Sequence, residues 1–501
     1  MARLYKRSRK SVDPSAADKL SFLLNGELVE IDNVDPRLTV LEFLRNRKSL
    51  TGTKRGCAEG GCGSCTVTIG EIQGSYIHYQ AVNSCICFVA SLHNKHLITV
   101  EGIAKKGKLH PAQQCLLSSH GSQCGFCTPG FVMSLYTLCY QHKANYSRQN
   151  IYDVLNGNLC RCTGYRPVIS AAQKLLKRKN LISFGYDQNH VLSKLKKTHF
   201  KKSQTFIHKS TTYHSPTTSV EVARLILKHP GATLVAGGTD IAVSFARQQR
   251  KLNRVISLER VNALKMIRKG KDMFAFGAGV TLNEIGAAIA QDYPEMKELI
   301  QRFGSQQIRN RATMIGNIAT AAPNSDMPPA LIVLDAKLTL RVGNYRRFLM
   351  LEDYFISAGK QDIKSGEFIE SLQIPRARRS STYRVYKLSK RFDHDISSLC
   401  GAFFLKLDRE NVIKDIRICF SGMDAVPKRA SYVEQALLQE QWSLQSVNRV
   451  ITIFNNDYRP QSDCRGSAEY RMIAAKNLFK RFYLETQSDS IRTRLTGELI
   501  D

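Results

Sequence analysis

Gly56-Cys57-Ala58-Glu59-Gly60-Gly61-Cys62-Gly63-Ser64-Cys65 is the stretch on which the reading of this chain turns. Its three thiols stand in C-x4-C-x2-C order, a spacing that holds a 2Fe-2S cluster. The four glycines among them let the backbone fold tightly and aim N–H groups at the sulfurs. Such donors stabilise the negative charge of a reduced cluster and raise its potential. A fourth thiolate is required, and the residues leave Cys85 and Cys87 both open. Zinc is the competing metal, but structural zinc favours closely spaced cysteine pairs over a glycine-rich triplet plus one.

Around this loop the chain has 501 residues, too many for one core, so three or four domains are expected. Its composition, 43% hydrophobic and 23% charged, is that of a folded soluble protein. No run approaches the roughly 18 apolar residues of a membrane helix, and no apolar region follows the basic start, so neither a membrane nor a secretory signal is expected. Clustered cysteines, 14 in all, then point to metal in a reducing cytoplasm rather than to disulfides. A formal charge of +31 suggests nucleic acid. The positive residues are spread out, however, with excess only in the tail and between Lys174 and Lys209, and no recognition motif accompanies them. Docking to an acidic partner subunit, or a solvated surface, is the expectation.

In chain order, residues 1–17 read as a polar basic tail. Leu20–Leu24 and Leu28–Ile31 flank Asn25-Gly26, a hairpin signal. Thr39 opens a helix, and Thr66–Ile69 and His96–Val100 read as strands. Pro111 starts a helix, an apolar helix runs from Phe131 to about Tyr140, and Ser147 caps a third that ends near Asn156-Gly157. A fourth carries Val168, Ala171, Ala172, Leu175 and Leu176. Together they bring Cys124-Gly-Phe-Cys127 and Cys160-Arg-Cys162 into one place, four thiolates that suit a second cluster. Residues 180–206 read as a linker, polar and without periodicity. An apolar strand ending in Gly237-Gly238-Thr239 can form an anion nest for a phosphate.

Residues 18–103 resemble a plant-type ferredoxin of β-grasp layout. The motifs Gln123-Cys-Gly-Phe-Cys-Thr-Pro-Gly130 and Leu159-Cys-Arg-Cys-Thr-Gly-Tyr-Arg-Pro167, in this order, resemble the iron–sulfur part of the molybdenum hydroxylases. Leu234-Val-Ala-Gly-Gly-Thr-Asp-Ile241 and Gly316-Asn-Ile-Ala-Thr-Ala-Ala-Pro-Asn-Ser-Asp326 resemble the FAD-binding domain of that family. The resemblance implies an α+β multidomain chain. Its parts are a β-grasp 2Fe-2S domain (18–103), a four-helix 2Fe-2S domain (104–179), an α+β FAD-binding domain (207–382) and an α+β C-terminal flavoprotein domain (383–495).

The family pattern implies Cys57, Cys62, Cys65 and Cys85 as ligands of one cluster and Cys124, Cys127, Cys160 and Cys162 as those of the other. Cys87, Cys115, Cys139, Cys400, Cys419 and Cys464 become ordinary thiols. It implies that Leu234, Val235, Ala236, Gly237, Gly238, Thr239, Asp240 and Ile241 grip the FAD pyrophosphate. Thr313, Gly316, Asn317, Thr320, Ser325 and Asp326 line the rest, Phe303 stands beside the flavin ring, and Lys387 lies near its edge. A cation there would favour an anionic reduced flavin; the residue-level alternative for Lys387 is a solvated surface lysine. The likeness is to a small subunit of purine-oxidising members, with none of the catalytic residues for purine oxidation. A large molybdopterin-binding subunit is implied as partner, in a heterotetramer of two small and two large chains, with NAD+ as co-substrate. Clusters pass single electrons while NAD+ takes a hydride, and a flavin converts between the two.

Overall fold

The computed structural model describes residues 18–140, 147–178, 180–197, 202–377, 380–487 and 493; the basic tail lies outside them. The chain divides into two compact units, Met1–Thr217 with Gly231–Arg260, and Thr218–Pro230 with Val261–Asp501.

In the first unit, β1 (Leu20–Leu24) and β2 (Glu27–Ile31) form an antiparallel hairpin. Its turn residues Asn25 and Gly26 have φ of 52° and 89°, the left-handed pair that a type I′ turn needs. With β3 (Thr66–Gln73), β4 (Tyr76–Asn83) and β5 (His96–Ile98) they build a sheet in the order β2-β1-β5-β3-β4. Only the central pair β1 and β5 is parallel, which is the β-grasp arrangement. A capping box between Thr39 and Glu42 starts the short helical segment at Val40.

Four helices follow: α1 (Pro111–Ser118), α2 (Thr128–Leu138), α3 (Arg148–Leu155) and α4 (Arg166–Leu176). Pro111 occupies the first turn of α1, and Ser147 caps α3 by accepting from the Asn150 N–H. Sheet and helices share one core, in which Leu23, Ile77, Tyr79 and Ile98 meet Phe131, Leu135, Val168 and Leu175. Thr68 of β3 and Thr137 of α2 close the seam with a 2.6 Å hydroxyl–hydroxyl hydrogen bond.

The stretch read as an aperiodic linker is not one throughout. It holds α5 (Gln188–Lys197), whose Val191, Leu192 and Leu195 are buried in that same core. Burying each stabilises by about 1.5–3 kcal/mol, enough to hold a helix whose other face is lysine-rich. The stretch then gives way to β6 (Gln204–His208), which pairs with β7 (Thr211–Ser215). With β8 (Thr233–Val235) and β9 (Arg254–Ser257), they make a second sheet in the order β6-β7-β9-β8.

The second unit contains a five-stranded antiparallel sheet, in the order Ile267–Lys269, Met273–Gly277, Phe368–Pro375, Lys337–Val342, Tyr345–Met350. It also has a four-stranded antiparallel sheet, Ser381–Leu388, Leu399–Leu407, Ile413–Ser421 and Lys428–Arg429. The helix Ala468–Gln487 covers the latter, stacking Phe482 on Phe403 with ring centroids 5.0 Å apart. Residues 207–382, read as one domain, contribute to both units.

Candidate functional site: two cysteine loops and two flavin-type stretches

The first loop arranges its thiols in twos. Cys65 Sγ lies 3.3 Å from Cys85 Sγ, and the Cys57 thiol hydrogen-bonds that of Cys62. The Cys57 thiol holds Cys62 down to about 5 while Cys57 itself is pushed up, and Cys65 is lowered while Cys85 is raised. Backbone amides point at these sulfurs. Gly61 and Glu59 N–H donate to Cys57 Sγ (3.2 and 3.4 Å), Gly60 N–H to Cys85 Sγ (3.3 Å) and Cys57 N–H to Cys62 Sγ (3.4 Å). Gly60 adopts φ 73°, which lets its amide turn inward. A Cβ on Gly56 would meet Cys62 Sγ at 2.7 Å, so the loop has no room for a side chain there. Cys87, two residues from Cys85, turns away to Ser91 Oγ at 3.3 Å.

The second loop repeats the pairing with different donors. Cys127 hydrogen-bonds Cys160, and Cys162 hydrogen-bonds Cys124. Burial opposes a low value at Cys160, yet the Thr163 hydroxyl and amide, 3.2 and 3.5 Å from its sulfur, hold it to about 7. Burial and then the Cys160 thiol push Cys127 up to about 12. Tyr165 Oη accepts from the Cys160 N–H at 3.0 Å.

Among the described residues no three acidic, histidine or cysteine side chains converge on one metal position. Four thiols in two pairs fit a 2Fe-2S cluster, in which each iron takes two terminal thiolates. Of the other thiols, Cys115, Cys139, Cys400 and Cys419 are buried and Cys464 is exposed.

The flavin-type stretches fall in different units. In the first, Leu234 and Val235 lie on β8, and the chain then turns through Ala236, Gly237, Gly238 and Thr239 into the helix Ile241–Ala246. Gly238 has φ 77°, and a Cβ there would meet only Val235 at 3.4 Å, so the turn presents open backbone. Asp240 is exposed, and the rest of the turn is half-buried.

In the second unit, Thr313 caps the helix Met314–Thr320 by accepting from the Gly316 N–H at 3.0 Å. Thr320 donates to the Gly316 carbonyl at 2.8 Å. Asn317 Oδ1 and Ser325 Oγ are buried without any hydrogen-bond partner. Leaving such groups unmade costs about 1–3 kcal/mol each, which a bound polar ligand would recover. Half-buried Phe303 sits on a turn gathered by buried Arg309, which donates to the carbonyls of Gln301, Phe303 and Gly304.

Lys387 is not a solvated lysine. Its ammonium is buried and paired with Asp326 at 2.7 Å, so these two candidates form one charged unit. Thr163, Arg309 and Asn158, described below, were not assigned roles from the sequence. The contacts of Asn158 join residues that no short motif connects, whereas Thr163 lies within the Leu159–Pro167 motif and acts on Cys160 three residues before it.

Comparison with known proteins agrees with these features. Family models match for a 2Fe-2S iron-sulfur cluster binding domain over residues 22–90 and a [2Fe-2S] binding domain over 99–173. Models for the FAD binding domain in molybdopterin dehydrogenase and the CO dehydrogenase flavoprotein C-terminal domain match over 207–377 and 384–486. Xanthine dehydrogenase/oxidase of Mus musculus is 30% identical, over 96% of this chain and 40% of its own. Aldehyde oxidase 2 of Macaca fascicularis is 29% identical, over 94% and 39%. The chain thus spans about two fifths of the length of the curated relatives it matches. In fold it resembles carbon monoxide dehydrogenase from Hydrogenophaga pseudoflava, with a TM-score of 0.51 at 24% identity over 54% of this chain and 94% of that one. Quinoline 2-oxidoreductase from Pseudomonas putida 86 gives 0.50 at 20% identity, over 54% and 94%.

Proposed function

This chain belongs to the molybdenum hydroxylase family, with two 2Fe-2S domains and an FAD-binding domain, and from that premise we propose that it is the electron-transfer subunit of a xanthine dehydrogenase. The observation that carries the proposal is the pairing of eight thiols in two groups of four, in a sheet and a helical layer that share a single core. The ligand sets, flavin contacts and domain boundaries named from the sequence are part of the proposal.

When bound, the clusters relay single electrons and the flavin delivers them as a hydride to NAD+. The chain's own residues prepare that exchange. Glycine amides of the first loop stabilise negative sulfur, the Thr163 hydroxyl does so in the second, and the Gly237-Gly238 turn offers backbone to a phosphate. The buried Lys387–Asp326 ion pair would set a fixed dipole without net charge where the flavin edge would lie, and removing either partner would cost about 3–5 kcal/mol. The purine site belongs, on this reading, to a large molybdopterin subunit in a cytoplasmic heterotetramer. A second reading, an aldehyde or N-heterocycle substrate, is supported by the similarity to aldehyde oxidase 2.

Stopped-flow spectroscopy of the chain with and without its partner tests the proposal. Alone, the chain should oxidise NADH and pass electrons to an artificial acceptor but not oxidise xanthine. Adding the partner should restore xanthine-dependent NAD+ reduction. Xanthine bleaching the clusters without any molybdenum subunit would refute the division of labour.

A further inference from the structure

We infer that Asn158 is a positioning residue that sets the separation of the two cluster loops, an inference that rests on the two-cluster reading above. Asn158 is 2% exposed and stands two residues before Cys160. Its side-chain amide donates to the Gly63 carbonyl at 3.0 Å and to Thr66 Oγ1 at 3.3 Å, both flanking the thiols of the first loop. Its Oδ1 accepts from Ser134 Oγ of α2 at 2.7 Å, so the amide is held at both ends.

The backbones it joins are packed to the limit. A Cβ on Gly63 would lie 2.2 Å from the Gly157 carbonyl oxygen, and one on Gly130 would lie 2.3 Å from the Gly63 carbonyl oxygen. Beside this knot the Leu159 N–H donates to the Cys62 carbonyl at 2.9 Å, so a residue next to Cys160 is bonded to the backbone of a first-loop cysteine. A buried asparagine that served only its own loop would not need partners 92 and 95 residues away. Removing the amide leaves the Gly63 carbonyl with its Thr66 partners but takes away the side-chain link between the two loops, leaving the Leu159–Cys62 backbone hydrogen bond to join them. Each cluster keeps its ligands while their separation and mutual orientation relax.

The experiment is low-temperature electron paramagnetic resonance of the full-length chain reduced with dithionite, in which the spins of two nearby reduced clusters split one another's lines. Asn158→Ala should retain about four irons per chain and lose resolved splitting. Ser134→Ala, which frees only one end of the amide, should narrow it less. Unchanged splitting at full iron content in Asn158→Ala overturns the inference. If Asn158→Ala loses iron, Ser134→Ala decides: narrowed splitting sustains the inference, and a wild-type spectrum overturns it. A wild-type chain lacking two reduced-cluster signals would instead refute the two-cluster reading itself.

Discussion

The loop around Cys57 and the loop around Cys160 quiet their sulfurs by different means. The first does it with backbone: four amides reach sulfur at 3.2–3.4 Å, and glycines make this possible. The second does it largely with a side chain, Thr163, and leaves Cys124 and Cys162 exposed. Amide donors cannot be removed by changing one side chain, whereas a hydroxyl can. The first cluster is therefore expected to have the higher potential, and the second to be the one that mutation and a covering partner can tune.

The largest effect that can break this comparison comes from the ligands. Cys160→Ser should lower iron from about four to about two per chain, leaving the first cluster and the flavin. Cys87→Ser should lose none, since that thiol faces Ser91. Iron and sulfide analysis checks both, and loss of iron from Cys87→Ser would show that the first loop is built differently.

Next in size, Gly238→Val should release FAD with both clusters kept, because a side chain would fill the open space at the turn, the place proposed for the phosphate. The new residue would also be strained at φ 77° by about 1–2 kcal/mol. A full flavin complement in the purified variant would remove the turn from the flavin site.

Acid asks whether the two cysteine regions stand or fall together. His110 caps α1 through a neutral Nδ1 that accepts from the Ala112 N–H. Burial, then Lys105, depresses it to about 4. A depressed histidine contributes stability that is full above its unfolded value near 6.5 and is lost as pH falls toward 4, on the order of 3 kcal/mol here. Melting temperature should fall across that window in the wild type and less in His110→Asn, which keeps a cap but does not titrate. Because sheet and helices share one core, both clusters should bleach in a single transition.

The smallest effect is also the most specific. Thr163→Val removes one hydrogen bond to charged sulfur, about 1.5 kcal/mol, and should lower the second cluster's potential by about 60 mV while leaving the first unmoved. A redox titration followed by electron paramagnetic resonance reads the two separately.

Much of this was legible before the structure. Asn25-Gly26 announced the hairpin, Pro111 and Ser147 the helix starts, and cysteine spacing the two metal loops, because each signal is local chemistry. The pairing of Cys65 with Cys85, the burial of Lys387 against Asp326 and the bridge made by Asn158 join residues 20, 61 and 95 apart. No local rule reports such contacts. The helix α5 was missed for a different reason: its three buried apolar residues sit in a lysine-rich background that resembles a tether.

The central claim is that one chain carries two 2Fe-2S clusters and FAD. Metal, sulfide and flavin analysis of the purified chain, read with its absorption spectrum, tests it most directly. The account predicts a red-brown protein with about four irons, about four sulfides and one FAD per chain, its clusters bleached by NADH. A colourless protein holding zinc at the cysteine loops would contradict it.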